Sequence, residues 1–158
     1  MREVDQVPLL IVDDEKPIRR LLQRIAERAG FQVDTARDGM EALEMLARKE
    51  YRIAIVDLMM PRLSGYELVQ KISEMTPRPC VIVATALTNG DVASLDDSTV
   101  RRVIRKPFDI TAVANALVET ARQIAQAQVE TATPPATVVV QATPDDVTIA
   151  PETKTEET

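Results

Sequence analysis

Three carboxylates, a hydroxyl and an ammonium stand at the ends of short apolar runs in this chain. Leu9-Leu10-Ile11-Val12 runs into Asp13-Asp14, and Ile53-Ala54-Ile55-Val56 runs into Asp57. Val81-Ile82-Val83-Ala84 ends in Thr85, and Val103-Ile104 is closed by Arg105-Lys106-Pro107. If these runs are parallel strands, their C-terminal ends share one edge of a sheet and bring the polar groups into one place. Clustered carboxylates raise one another's pKa unless a cation neutralises them, so a purely structural role for the acids is electrostatically costly. A divalent ion resolves this, and Mg²⁺, which takes oxygen ligands and commonly shares them with phosphate, suits the donor set. Such a site can do phosphoryl chemistry.

The segments between the runs explain how the ends could meet. Ile18, Leu21, Leu22, Ile25, Ala26 and Ala29 fall on one face of a helix. Asp38 followed by Glu41 has capping-box spacing before a helix over Ala42 to Lys49. Leu68, Ile72 and Met75 mark a further helix, and Ile110, Val113, Leu117 and Ile124 mark the last. Strands without polar alternation require a sheet covered on both faces, and βαβ crossovers are almost always right-handed. The expected fold is α/β, a doubly wound, flavodoxin-like parallel sheet of five strands near residues 7–12, 31–35, 53–57, 80–84 and 101–104. In strand order 2-1-3-4-5 the first and third strands are neighbours at the topological switch point, where open α/β sheets bind ligands.

Composition narrows the alternatives. A chain of 158 residues, 45% of them hydrophobic, can bury one core, and with two Phe, two Tyr and no Trp that core must be aliphatic. A single Cys, Cys80, excludes an intrachain disulfide and a multi-cysteine metal site, and reads as a reduced core residue. No secretory signal and no stretch of membrane-spanning length is visible, so no membrane partner and a cytoplasmic location are expected. Most of the net charge of −6 lies beyond residue 126, where Glu130, Asp145, Asp146, Glu152, Glu156 and Glu157 face only Lys154. The nearly neutral body gives no global case for direct nucleic-acid binding, although Arg101, Arg102 and Arg105 form a local basic cluster. Residues 1–126 are expected to form the domain and 127–158 a disordered acidic tail rich in Thr and Pro. Such a tail cannot supply a helix-turn-helix or a catalytic domain, so the output is expected to be a protein contact.

Four motifs, in order and at near-regular spacing, resemble the receiver domains of two-component response regulators: Val12-Asp13-Asp14-Glu15, Val56-Asp57-Leu58-Met59-Met60-Pro61 with Gly65 following, Ala84-Thr85-Ala86, and Lys106-Pro107-Phe108. The resemblance covers roughly residues 7 to 126. It implies that Asp57 is the phosphoacceptor and that Mg²⁺ is held by Asp13, Asp14, Asp57 and the Met59 backbone carbonyl. It further implies that Lys106 neutralises the phosphoryl charge and that Thr85 donates its hydroxyl to a phosphoryl oxygen. The implied partners are a histidine kinase or His-phosphotransfer protein and a downstream protein target, and a phosphorylation-dependent dimer fits the family. With no His in the chain, it can receive from a phosphohistidine but cannot carry one. A stand-alone receiver, catalysing only its own Mg²⁺-dependent phosphorylation and dephosphorylation, is the resulting expectation; the alternative is a receiver fold used as a phosphorylation-independent interaction module. Phosphatases of the haloacid dehalogenase class need a second acid two residues after the nucleophile, where this chain has Met59, and neither Gly-x-Gly-x-x-Gly nor a P-loop is present.

The sequence also departs from the family pattern. Val103 stands where most receivers have an aromatic ring that turns inward on activation, and Val100-Arg101 replaces the usual Gly-Ala. Residues 88–99, with Asn89-Gly90 and Asp96-Asp97, are poor helix material, so a helix there is expected to be short or mobile.

Overall fold

Apolar runs and amphipathic segments alternate along the chain, and in a computed structural model they become strands and helices in the same alternation. The structure describes residues 6–86, 95 and 98–132, with side chains to residue 127. The strands are β1 (Pro8–Val12), β2 (Gln32–Ala36), β3 (Ile53–Val56), β4 (Cys80–Thr85) and β5 (Val100–Arg105). The helices are α1 (Lys16–Arg28), α2 (Gly39–Arg48), α3 (Gly65–Ser73) and α4 (Ile110–Ala132). All five strands pair in parallel in the order β2-β1-β3-β4-β5, as the sequence predicts. By contact the chain divides into units of residues 1–123 and 124–158, and the sheet lies in the first.

Burial follows the run pattern. Leu9, Leu10 and Ile11 in β1, Ile53 to Val56 in β3 and Val81 to Val83 in β4 are fully enclosed, as a sheet covered on both faces demands. Pro17 lies in the first turn of α1, where a missing N–H leaves nothing unsatisfied, and Leu22, Ile25 and Ala26 of its apolar stripe are buried. At about 25 cal/mol per Å² of apolar surface, each buried Leu, Ile or Val side chain contributes roughly 1.5–3 kcal/mol.

Capping differs from the expectation in detail. Asp38 does cap α2, its Oδ1 accepting the Glu41 N–H at 2.9 Å, but the Glu41 carboxylate accepts from the Arg37 N–H at 2.7 Å, one residue before the cap. The complete reciprocal box belongs to α3, where Ser64 and Glu67 bond each other's backbone N–H groups. Asp109 opens α4, accepting from the Ala112 N–H at 2.9 Å. That helix runs to Ala132, so the tail expected from residue 127 has its first residues in it; the remainder, from 133, lies outside the described residues. So does most of the 88–99 segment, whose expected short helix is not described. Cys80 is free and partly exposed, because it only begins its strand.

The ladder ends set the stage for chemistry. The Asp57 N–H donates to the Val12 carbonyl at 3.0 Å, the Asp13 N–H to the Ala36 carbonyl at 3.2 Å, and the Lys106 N–H to the Thr85 carbonyl at 2.9 Å. Each strand's last polar residue is thereby tied to the end of its neighbour.

Candidate functional site

Because β1 and β3 are neighbours in register, with Val12 opposite Val56, the residues that follow them emerge side by side. Asp13 and Asp57 are both almost wholly buried, at 1% and 5% exposure, while Asp14 faces solvent. Carboxylate oxygens of Asp13, Asp14 and Asp57 all lie within 4.8 Å of one another. The Lys106 ammonium enters from the far side of β4. Its Nζ is 2.9 Å from Asp13 Oδ2, 3.4 Å from Asp57 Oδ2 and 3.6 Å from Glu15 Oε1. The peptide bond between Lys106 and Pro107 is cis.

The two buried acids are held in different ways. Asp13 Oδ1 accepts the Glu15 N–H at 2.9 Å, and the Asp13 carbonyl accepts from Arg19 Nη1 at 2.7 Å. Asp57 Oδ1 accepts the Met59 N–H at 3.2 Å. Burial raises the Asp57 pKa; Lys106 opposes the rise, Asp13 adds to it, and the net direction is upward. For Lys106 burial alone would lower the pKa, but its bonds and charge attraction to Asp13 and Asp57 outweigh this and the ammonium is strengthened. Three carboxylates against one ammonium leave a negative surplus that a divalent cation would balance. The donors, all oxygen and partly open to solvent, fit Mg²⁺.

Above these groups opens a cleft of about 190 Å³, lined by Asp14, Glu15, Asp57, Met59, Ala86 and Lys106. The structure therefore brings the Asp13, Asp14 and Asp57 carboxylates and the Lys106 ammonium together, with Met59 on the wall of the cleft. Thr85 differs. It is fully buried at the end of β4, bonded through its carbonyl to Lys106, and the described wall of the cleft on that side is Ala86. Two contributors carried no expected role: Glu15, which closes the Val12-Asp13-Asp14-Glu15 motif, and Arg19, whose grip on a backbone carbonyl leaves no signature in spacing.

The loop from Asp57 to Ser64 is shaped by two glycines. A Cβ on Gly65 would stand 2.1 Å from the Asp57 carbonyl oxygen and 2.5 Å from Leu58 Cα, so only Gly lets α3 start against the Asp57 backbone. The Gly65 N–H donates to the Leu58 carbonyl at 3.0 Å. A Cβ on Gly39 would stand 2.8 Å from the Leu63 carbonyl oxygen and 2.9 Å from Leu63 Cβ. Between the two contacts Arg62 adopts a left-handed backbone at φ 68°, a conformation that costs a non-glycine residue about 1 kcal/mol.

The family model of the response regulator receiver domain matches residues 9–118. The chain is 40% identical over 91 residues to a probable transcriptional regulator, ycf27, of Cyanophora paradoxa, covering 58% of this chain and 37% of that protein. It is 35% identical over 103 residues to the response regulator ArlR of Staphylococcus aureus, covering 65% and 47%. The chain thus spans less than half the length of these curated relatives. Among solved structures, the Francisella response regulator 1452 receiver domain superposes with a TM-score of 0.70 at 25% identity, over 75% of this chain and 99% of that one. TrrA of Thermotoga maritima, a response regulator protein solved in complex with Mg²⁺ and BeF, gives 0.65 at 28% identity, over 72% and 97%.

Proposed function

This chain belongs to the response regulator receiver domain family, and from that premise we propose that it accepts a phosphoryl group on Asp57 from a histidine kinase or His-phosphotransfer protein and passes the signal on through protein contacts. An oxygen of the Asp57 carboxylate attacks phosphorus, the phosphorus–nitrogen bond of a phosphohistidine breaks, and the imidazole leaves with the bonding pair. Asp13, Asp14, Asp57 and the Met59 carbonyl would hold Mg²⁺, with Asp13 acting directly or through water. When bound, the ion supplies neutralising charge for the phosphoryl oxygens.

The chain's own residues do the rest. Lys106, already paired with Asp57 at 3.4 Å, supplies a fixed positive charge for the incoming phosphoryl group. The Met59 N–H fixes one Asp57 oxygen, leaving the other beside Lys106. Thr85 is assigned the role of donor to a phosphoryl oxygen once Asp57 is modified, which its burial makes conditional on movement of the β4 end. The supporting observation is the meeting of buried Asp57 with Asp13 and Lys106 at the mouth of an open cleft.

The output partner is proposed to be a protein, and a phosphorylation-dependent dimer belongs to the same reading. The Cyanophora relative is named as a probable transcriptional regulator, which places nucleic acid among the targets to test. Among the described residues no helix is long and apolar enough to cross a membrane. Intact-mass measurement after incubation with acetyl phosphate and Mg²⁺ tests the proposal. One added phosphoryl group is expected, absent without Mg²⁺ and absent in Asp57→Asn; no added mass, or mass that survives the substitution, would overturn it and favour a phosphorylation-independent interaction module.

A further inference from the structure

The loop that carries Asp57 and the Met59 carbonyl rests on α2, an element that contributes no group to the cleft. Leu63 is buried in the main core cluster, and its backbone oxygen and Cβ lie where a side chain at Gly39 would have to go. At the other end of the loop Gly65 sits against the backbone of Asp57 and Leu58. Between these two close contacts Met59, Pro61 and Arg62 are exposed, and Met59 lines the cleft. The loop is thus held at 57–58 and at 63, and between them only Met60 packs against the core.

We infer that Gly39 is a positioning residue for the metal site: by leaving room for Leu63 it sets the height of the loop and with it the Met59 carbonyl. The inference rests on the phosphoacceptor reading of Asp57. A methyl group at position 39 meets the Leu63 backbone oxygen and Cβ as well as the Cδ2 end of its side chain, so rotamer change alone cannot absorb it. Two responses are open. If the loop yields, Gly65 cannot follow, because its Cα is already against Asp57, and the displacement falls on 59–62. If α2 yields instead, the strain runs back along the chain to Ala36, whose carbonyl holds the Asp13 N–H at 3.2 Å. Either way a metal-site group moves.

Asp38 and Arg62 lie across the same junction, with Asp38 Oδ2 3.6 Å from Arg62 Nη2. Arg62 is 61% exposed, so this pair guides the loop only weakly and the steric contact dominates.

The test is calorimetric titration of Mg²⁺ into the full chain and its variants, with unfolding in urea measured beside it. Gly39→Ala is expected to bind Mg²⁺ about tenfold more weakly, a change of about 1.4 kcal/mol. Its phosphorylation by acetyl phosphate should be recovered largely by raising Mg²⁺. Gly30→Ala is the control: Gly30 has φ 105° in the turn between α1 and β2, at the opposite end of the sheet, so the substitution should lower stability without changing Mg²⁺ affinity. Should Gly39→Ala fail to fold, Leu63→Ala keeps the backbone oxygen and Cβ but withdraws the side chain that seats them in the core, so the loop loses its fixed height and Mg²⁺ affinity must fall too. Mg²⁺ affinity equal to wild type in a folded Gly39→Ala, or in Leu63→Ala where that variant stands in, overturns the inference alone. A wild-type chain that binds no Mg²⁺ overturns the phosphoacceptor reading and this inference with it.

Discussion

Lys106 makes its shortest ion pair with Asp13, at 2.9 Å, and approaches Asp57 only to 3.4 Å. The ammonium therefore serves mainly as counter-ion to an acid that is not the proposed nucleophile. Lys106→Ala should destabilise the metal-free chain by about 3 kcal/mol, since it strands two buried carboxylates. Mg²⁺ should restore more stability to this variant than it adds to wild type, because the ion substitutes for the lost charge. Urea denaturation with and without Mg²⁺ measures both, and acetyl phosphate labelling should still be impaired in the variant.

Asp57 lies on the other side of the ledger of charge. Its folded pKa is raised, chiefly by burial, so the native state holds its proton more tightly than the unfolded state does. Stability from this group is present below the unfolded pKa and lost as pH rises through the folded one, which leaves the ionised carboxylate unfavourable at neutral pH. Asp57→Asn should stabilise the metal-free chain by about 1 kcal/mol at pH 7, with the gain shrinking as pH falls toward about 4. A thermal unfolding series in chelator across pH reads this out, and Mg²⁺ should narrow the difference.

Asp34 gives the opposite sign. Its pKa is lowered by the Tyr51 hydroxyl, which donates to Oδ2 at 2.7 Å, with Lys49 at 2.9 Å assisting against the effect of burial. The stabilisation is present above the unfolded pKa of about 3.9 and lost as pH falls through the folded value. With the side chain 36% exposed the effect is screened, and Asp34→Asn should cost under about 1 kcal/mol at pH 7. The difference from wild type should vanish in acid, a test for paired urea titrations at pH 7 and pH 3.

Gly65→Ala should be far more damaging, on the order of 3 kcal/mol or more, because the added methyl collides with the Asp57 and Leu58 backbone. Any folded fraction should fail to label with acetyl phosphate. A variant of near-native stability that labels normally would contradict the close approach described for α3.

Much of the fold was written locally. The apolar runs at residues 9–12 and 53–56 needed both faces covered, and that requirement led to a parallel sheet and to neighbouring Asp13 and Asp57. The Ser64–Glu67 box was equally local and was overlooked beside the more familiar Asp38–Glu41 spacing, which forms only half of its box. What could not be read was tertiary. The burial of Thr85 depends on what covers the end of β4, and the seating of Leu63 on Gly39 joins residues whose separation carries no period. Val103 illustrates the same boundary: its identity was plain, yet only the structure places it at 38% exposure on an edge strand.

The three ladder-end hydrogen bonds of Asp13, Asp57 and Lys106 have a practical consequence for spectroscopy. Tryptophan is absent from the sequence, so intrinsic indole fluorescence cannot follow events in the cleft. Each of the three residues, however, carries a backbone proton anchored to the neighbouring strand and a side chain in the site. In a nitrogen-15-labelled sample those three resonances would sense ion binding and acylphosphate formation from within, with no dye, tag or substitution introduced.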